Sequence, residues 1–534
     1  MRNKFRGVWT VSVAAALLFT SACGGGGTEP EKAPATDGNS TASKEPVKLK
    51  MMANHEQANL SETDKKFVEM LEKKTNTKLE FEIPPTTGYK ERLQLMLASG
   101  EYPDIVFFPA TSEQAFINAV KDGIVIPVND YLSSAKNLTK YSYQASWDAL
   151  KVNQDGKIYG IPRTSVTRND AFWVRKDWLN NVGITIPADS QVTIDQFTDI
   201  LRKFTLNDPD KNGKNDTYGY AGFVDGNKVL QPILTSQFGL FQWQKAPAGS
   251  KYEYMDATYD PSGTAFKKAL TYTANLQKEK LLDPDSATND GVKARERFWR
   301  GIAGVYPGFA GHYTWHTEEM RKLNPNVDLT YVFVKNEDGK VSGIGYGTGL
   351  WGFWGITKTS KNPQKAVEVL DAWLADDIWK TVVEGFEGMD YNKVNGEIVP
   401  IMDAPKSPIR RNSMRRNNDP EFFITAGTKK EIRDLIKPWM DLSFTSVVNS
   451  KHLDYVPETA KKPNYMDYQK VWSQTVMKII MNEQPVSNFD ELLAGWYKAG
   501  GEDFVKEMND ISRKWKPASK YAMGEELTIF THFL

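Results

Sequence analysis

Cysteine is almost missing from this chain: Cys23 is the only one in 534 residues. No disulfide can brace the folded body, and no thiol beyond Cys23 is present to serve as a nucleophile. Net charge is missing as well. The 67 Lys+Arg balance 67 Asp+Glu, and no basic run is present for phosphates to meet, which removes nucleic acid as a partner. No long apolar segment follows the N-terminal one, so the sequence predicts a soluble body. Catalytic signatures fail too. His55-Glu56 opens like a zinc-protease helix, but the fourth residue on is Asn59, so H-E-x-x-H is not met. Gly347-Thr348-Gly349-Leu350-Trp351-Gly352 fits G-x-G-x-x-G as a string. It leads into an aromatic extended segment, so no helix N-terminus is there to receive a phosphate. No Walker loop and no G-x-S-x-G elbow occurs.

What is present begins at the N-terminus. Arg2, Lys4 and Arg6 precede the uncharged run Val8 to Phe19, and Ser21-Ala22-Cys23 follows. A basic segment, an apolar segment and small residues form a secretory signal peptide, residues 1–22. The apolar stretch is shorter than the about 20 residues a membrane-spanning helix needs. A cysteine just past the small residues is the layout of a bacterial lipoprotein signal, in which the thiol is acylated and becomes the new N-terminus. Thr20 stands where that pattern prefers Leu. Residues 23–46 are rich in Gly, Thr, Glu, Pro, Ala and Ser and bury too little apolar surface to offset ordering entropy, so they read as a flexible linker. The expected location is the extracytoplasmic face of the cell membrane, with the body held by a lipid on Cys23. Removing residues 1–22 leaves 512 residues and takes three basic residues away. That length exceeds one core and predicts two or more lobes.

The body alternates strand and helix patterns. Val47 to Met52 and Leu79 to Ile83 read as strands, Ser61 caps a helix carrying Phe67 and Leu71, and Asp104 to Phe108 reads as a buried strand. This order predicts an α/β fold with parallel sheets, whose ligands gather at the carboxyl ends of the strands. From about Glu421 the pattern is helical, with Gly500-Gly501 punctuating two helices. Aromatics make up 12% of the chain; beyond the core, flat rings with polar edges suit sugar rings.

The sharpest motif is Asp208-Pro209-Asp210-Lys211-Asn212-Gly213-Lys214-Asn215-Asp216. Oxygen donors at positions 1, 3, 5 and 9, Gly at 6 and the Lys214 carbonyl at 7 match the first nine positions of an EF-hand-like loop. Position 12 is Gly219 instead of Glu. The motif predicts a structural calcium held by Asp208, Asp210, Asn212, Lys214 and Asp216; the competing reading is a polar surface turn.

Seven marks in order resemble one family, the extracellular family 1 solute-binding lipoproteins of bacterial ABC importers. They are the strand after the Cys23 leash, Gly100 to Ile105, Tyr159 to Pro162, Trp173 to Leu179, Asp208 to Gly219, Gly301 to Gly304 and Gly385 to Gly388. The resemblance implies two discontinuous α/β lobes of the periplasmic-binding-protein type II fold, closing on a carbohydrate oligomer and passing it to a membrane permease. It also implies a monomer and no enzymatic turnover. On that topology the N-terminal lobe is 47–167 plus 306–349 and the C-terminal lobe is 168–305 plus 350–534. The crossings fall near Arg163 to Ala171, Ala303 to Gly308 and Gly349 to Gly355. Expected cleft residues are His55, Glu56, Thr111, Arg163, Trp173, Trp243, Tyr306, Trp315, His316, Trp351, Glu387 and Asp390, although core packing accounts for a buried aromatic equally well. Two alternatives stay open: a secreted glycoside hydrolase using paired carboxylates, and a binder of a peptide or another solute.

Overall fold

The computed structural model describes residues 45–514, apart from 56–58, 86–87, 154, 223–231, 346–347, 402–405, 425–427 and 451–455. The signal peptide, Cys23 and nearly all of the linker lie outside the described residues.

Two five-stranded sheets organise the body from Pro46 onward. In the first, β1 (Val47–Met52) lies between β2 (Thr77–Glu82) and β3 (Ile105–Phe108), all parallel. The strand Leu350–Ile356 then runs antiparallel between β3 and β4 (Ile161–Thr164). Every residue of β3 is buried, as expected of a continuous apolar strand covered on both faces. The helix Glu62–Thr75 connects β1 to β2. Ser61 caps it by accepting from the Asp64 amide, acids occupy its first turn, and Lys73 and Lys74 occupy its last, complementing the helix dipole. Phe67 on its inner face packs on Trp373 of the helix Pro363–Trp373, with ring centroids 5.1 Å apart.

The second sheet centres on β5 (Ala171–Arg175), antiparallel to both Ala303–Gly308 and Leu329–Val334. β6 (Gln191–Val192) and β7 (Tyr218–Tyr220) complete its edges, each parallel to its neighbour. The helix Ile194–Leu206 starts from a capping box between Thr193 and Gln196. Gly304 has to be glycine, because a Cβ there would run into the rings of Phe204 and Trp178. The helices Lys430–Thr445, Pro463–Ile480, Asn488–Trp496 and Glu502–Lys514 pack onto this lobe, the last two separated at Gly500 with φ 125°.

Each sheet has its own apolar core. The expected lobe boundaries require correction. The segment 306–349 was assigned to the N-terminal lobe, but Ala303–Gly308 and Leu329–Val334 hydrogen-bond to β5 in the second sheet. The stretch from 350 was assigned to the C-terminal lobe, yet Phe353 and Trp354 sit in the first core, as do Leu370, Trp373, Ile409 and Phe422. Strand patterning shows that a segment pairs, but not with which sheet. The first crossing falls as expected, between β4 and β5. The expected crossing at Ala303 to Gly308 is an interior strand of the second sheet. The chain passes back to the first sheet just before Leu350, at the edge of the expected crossing Gly349 to Gly355, and returns to the second core after Phe422, since Ile424 already packs there.

Candidate ligand cleft

The crossings bring both lobes to one junction. Arg163 is the half-exposed position of the otherwise buried β4. Its Nη1 donates to the Trp351 carbonyl at 2.6 Å, and its guanidinium lies 5.8 Å from the Phe107 ring at the carboxyl end of β3. Arg415 follows the helix Pro408–Asn412. Its backbone is fixed by the Thr164 hydroxyl donating to its carbonyl at 3.0 Å and by Trp354 Nε1 donating to the Ser413 carbonyl at 2.8 Å. The Arg415 guanidinium lies 5.7 Å from the Trp351 ring and 5.2 and 5.9 Å from Phe422 and Phe423. Arg168, on the first crossing, lies over the same Trp351 and Phe423 rings and 4.3 Å from Phe309, while its Nε donates to Asp170 at 2.8 Å.

The second lobe adds Arg295, from the helix Gly291–Trp299, 5.0 Å from the Trp299 ring and 4.8 Å from Trp315. Trp299 Nε1 donates to His316 Nδ1 at 2.8 Å. Phe309 packs on Phe423 at 4.9 Å, and Phe423 borders both cores.

Burial and these cations suppress protonation of the junction histidines. His55 is held down at about 3 by desolvation, then by Arg163 and Arg415. His312 is held down at about 3 by desolvation, then by Arg168, Arg415 and Arg295. Both are neutral at pH 7. Desolvation brings Arg163 down to about 10. Arg415 is lowered by desolvation first and then by the neighbouring arginines 163, 168 and 411.

The expected site residues divide into groups. Arg163, Trp351, Trp315 and His55 stand at the junction. His55 is 8% exposed, and its Nε2 lies 3.2 Å from Ser413 Oγ. Tyr306 is half-buried, its ring stacked on Phe298 with 5.6 Å between centroids. Thr111 is buried just past β3. His316 is buried beside Tyr306 and Trp173, with ring centroids 5.7 and 5.5 Å away. Glu56 lies outside the described residues.

Trp173 is wholly buried among Tyr313, His316, Tyr331 and Trp439 and has no surface for a solute. Trp243 is buried against Phe504 in the second core. Asp390 makes a two-bond pair with Arg410, each bond 2.7 Å, and accepts from the Phe386 amide. Glu387 pairs with Lys393 at 3.4 Å, both exposed. Sequence reasoning missed Arg168, Arg295, His312 and Arg415. The doublets Arg410-Arg411 and Arg415-Arg416 were the available signal.

In the loop 208–216, Asp208 accepts from the amides of Asn212 and Gly213 at 3.0 and 2.9 Å, and Asn212 Nδ2 donates to Asp210 and Asp216 at 2.9 and 3.1 Å. Asp210 is raised, chiefly by desolvation, then by its hydrogen bond with Asp208 and the charges of Asp216 and Asp208. The three carboxylates are therefore mutually close. Among the described residues, no group of three or more His, Cys, Asp or Glu is arranged to hold a metal ion.

Residues 57–378 match the model of the bacterial extracellular solute-binding protein family. The chain belongs to this family. It is 25% identical over 474 residues to the polygalacturonan/rhamnogalacturonan-binding protein YtcQ of Bacillus subtilis, covering 84% of this chain and 88% of that protein. It is 26% identical over 470 residues to lipoprotein LipO of the same organism, with the same coverage. The fold is similar to that of an EF-hand mutant of the Streptococcus pneumoniae ABC-transporter substrate-binding protein FusA in complex with fructo-nystose. That likeness has a TM-score of 0.62 at 18% identity and covers 88% of this chain and 99% of FusA. As a solute-binding protein with these relatives, the chain is a binding component and not an enzyme.

Proposed function

We propose that this protein captures an oligosaccharide at the interlobe junction and delivers it to the permease of an ABC importer. The observation that carries this reading is the junction itself. Trp351, Phe423 and Trp315, contributed by different segments, place aromatic rings beside the hydrogen-bond donors of Arg163, Arg295 and Arg415. A sugar needs both: rings for its apolar faces and directed polar groups for its hydroxyls. YtcQ and FusA, named for saccharide ligands, support the ligand class. The test is calorimetry of the purified protein against a glycan panel, with the products analysed. Saturable binding without cleavage is expected. Hydrolysis products, or a panel in which no glycan binds, would overturn the reading.

Two further parts belong to this proposal. A lipid on Cys23 holds the receptor at the extracytoplasmic membrane face, a reading supported by the signal layout and by the relative LipO. Changing Cys23 to Ala should release the protein from membranes and leave ligand affinity intact. The loop 208–216 takes calcium as a structural ion, through Asp208, Asp210, Asn212, Asp216 and the Lys214 carbonyl. Its donors are hard oxygens, and desolvation followed by the nearby Asp208 and Asp216 raises Asp210, a carboxylate crowding that a cation offsets.

A further inference from the structure

Among the described residues, Arg168 is the arginine of the junction that has an ion-pair partner, Asp170. Arg163, Arg295 and Arg415 form no ion pair among the described residues. Arg163 spends one donor on the Trp351 carbonyl and Arg415 one on Asn412 Oδ1, 3.0 Å away. The Nε of each of the three is buried without a partner. Elsewhere the protein pairs its buried arginines: Arg410 with Asp390, Arg175 with Asp177. Three half-buried cations without counter-ions among the described residues leave donors unsatisfied, and Arg163 also repels Arg415, an arrangement that costs stability unless an anion completes it. The two histidines between them are held neutral and add no competing charge. By contrast, a surface depression of about 460 Å³ on the second lobe, lined by Ile184, Pro187, Asp195 and Asp199 among others, has no arginine and no aromatic ring in its wall.

We propose that Arg163, Arg295 and Arg415 receive carboxylates of the ligand, so that the captured oligosaccharide is acidic and built with uronic acid residues. A guanidinium presents a planar fork that matches a carboxylate through two parallel bonds, and neighbouring aromatic rings hold the sugar face beside it. Arginines from both lobes contribute, Arg163 and Arg415 from the first and Arg295 from the second. One polyanionic chain therefore neutralises both walls at once and links ligand charge to lobe closure. This inference rests on the oligosaccharide reading above and adds the charge of the sugar to it.

Calorimetry with the full protein decides the matter using three probes of matched length: oligogalacturonate, the same oligomer fully methyl-esterified, and a neutral fructan. The acid should bind at least tenfold more tightly than its ester, with affinity falling as salt rises. Arg163→Gln and Arg415→Gln should each weaken acid binding at least tenfold. The melting temperature of the ligand-free protein should stay level or rise in both variants, because repulsion is removed. Equal affinity for acid and ester, or tight binding of the fructan alone, overturns the inference and leaves the oligosaccharide reading standing. Failure of all three probes overturns the inference. It leaves the wider reading to the glycan panel, where failure of every glycan would sink it. A fall in ligand-free melting temperature with unchanged affinity would mark the arginines as structural and overturn it as well.

Discussion

Arg410 and Arg415 stand five residues apart, one inside the helix Pro408–Asn412 and the other just beyond it. Arg410 is 4% exposed, and both its terminal nitrogens bond to Asp390 at 2.7 Å. Its backbone amide also donates to Asp64 at 2.9 Å. That arginine is ion-paired within the fold and ties the helix to the loop after Gly385, although its Nε, like that of Arg415, has no partner. Arg415 is surrounded by rings and by other arginines, with one hydrogen bond to Asn412. Residue type is the same, so it does not distinguish structure from recognition. Whether the charge is already answered within the fold does.

The sharpest way to break this comparison is to remove the answering charge. Asp390→Ala leaves Arg410 buried and unpaired and should cost about 3–5 kcal/mol in urea unfolding, whereas Arg415→Gln should leave the midpoint unchanged or higher. Equal losses in the two variants would mean that both arginines are structural. Acid comes next. A histidine held at about 3 in the folded protein binds its proton more readily once unfolded, where its pKa is near 6.5. His55 and His312 therefore contribute stability that is full above about pH 6.5 and is lost as pH falls toward 3. The slope is about 1.4 kcal/mol per pH unit for each. His55→Asn should flatten the profile in that window; a profile unchanged by the substitution would refute the neutral junction.

Calcium removal sharpens the comparison from another side, since its acids sit in the second lobe, apart from any arginine pair. Chelation should lower stability by about 3 kcal/mol if the ion is present at a hundred times its dissociation constant, read as a fall in melting temperature that added calcium restores. An unchanged melting temperature, with no copurified metal, would refute the loop proposal. The smallest effect belongs to Glu387→Gln. Its partner Lys393 is 52% exposed and Glu387 itself 54%, so the change should cost less than about 0.5 kcal/mol, and a larger loss would show that exposed pairs matter here.

Much of the architecture was legible in the order of residues. The Ser61 cap, the buried run Asp104 to Phe108 and the Gly500 break are local signals, and each produced the element expected of it. Strand partnership was not legible, because Leu350–Ile356 inserts between β3 and β4 from far along the chain, and alternation does not encode the neighbour. At the site, Arg163 was expected at the cleft and stands at the junction, on the half-exposed position of β4. Trp173 and Trp243 were misread as cleft residues because a ring in the core and a ring in a cleft look alike in sequence. Arg415 was missed because the arginine doublets are visible locally but its approach to Arg163 and Arg168 is not. That approach emerges only when the segment after the helix Pro408–Asn412 meets β4 and the first crossing.

The insertion of Leu350–Ile356 also has a consequence in time. β3 ends at Phe108, and its antiparallel partner begins 242 residues later. At about 5–20 residues per second, synthesis leaves that edge open for roughly 10–50 s. The first lobe cannot close its sheet from its own early residues. The nascent chain thus holds a half-built lobe in waiting, and its final strand arrives only after most of the second lobe has been made.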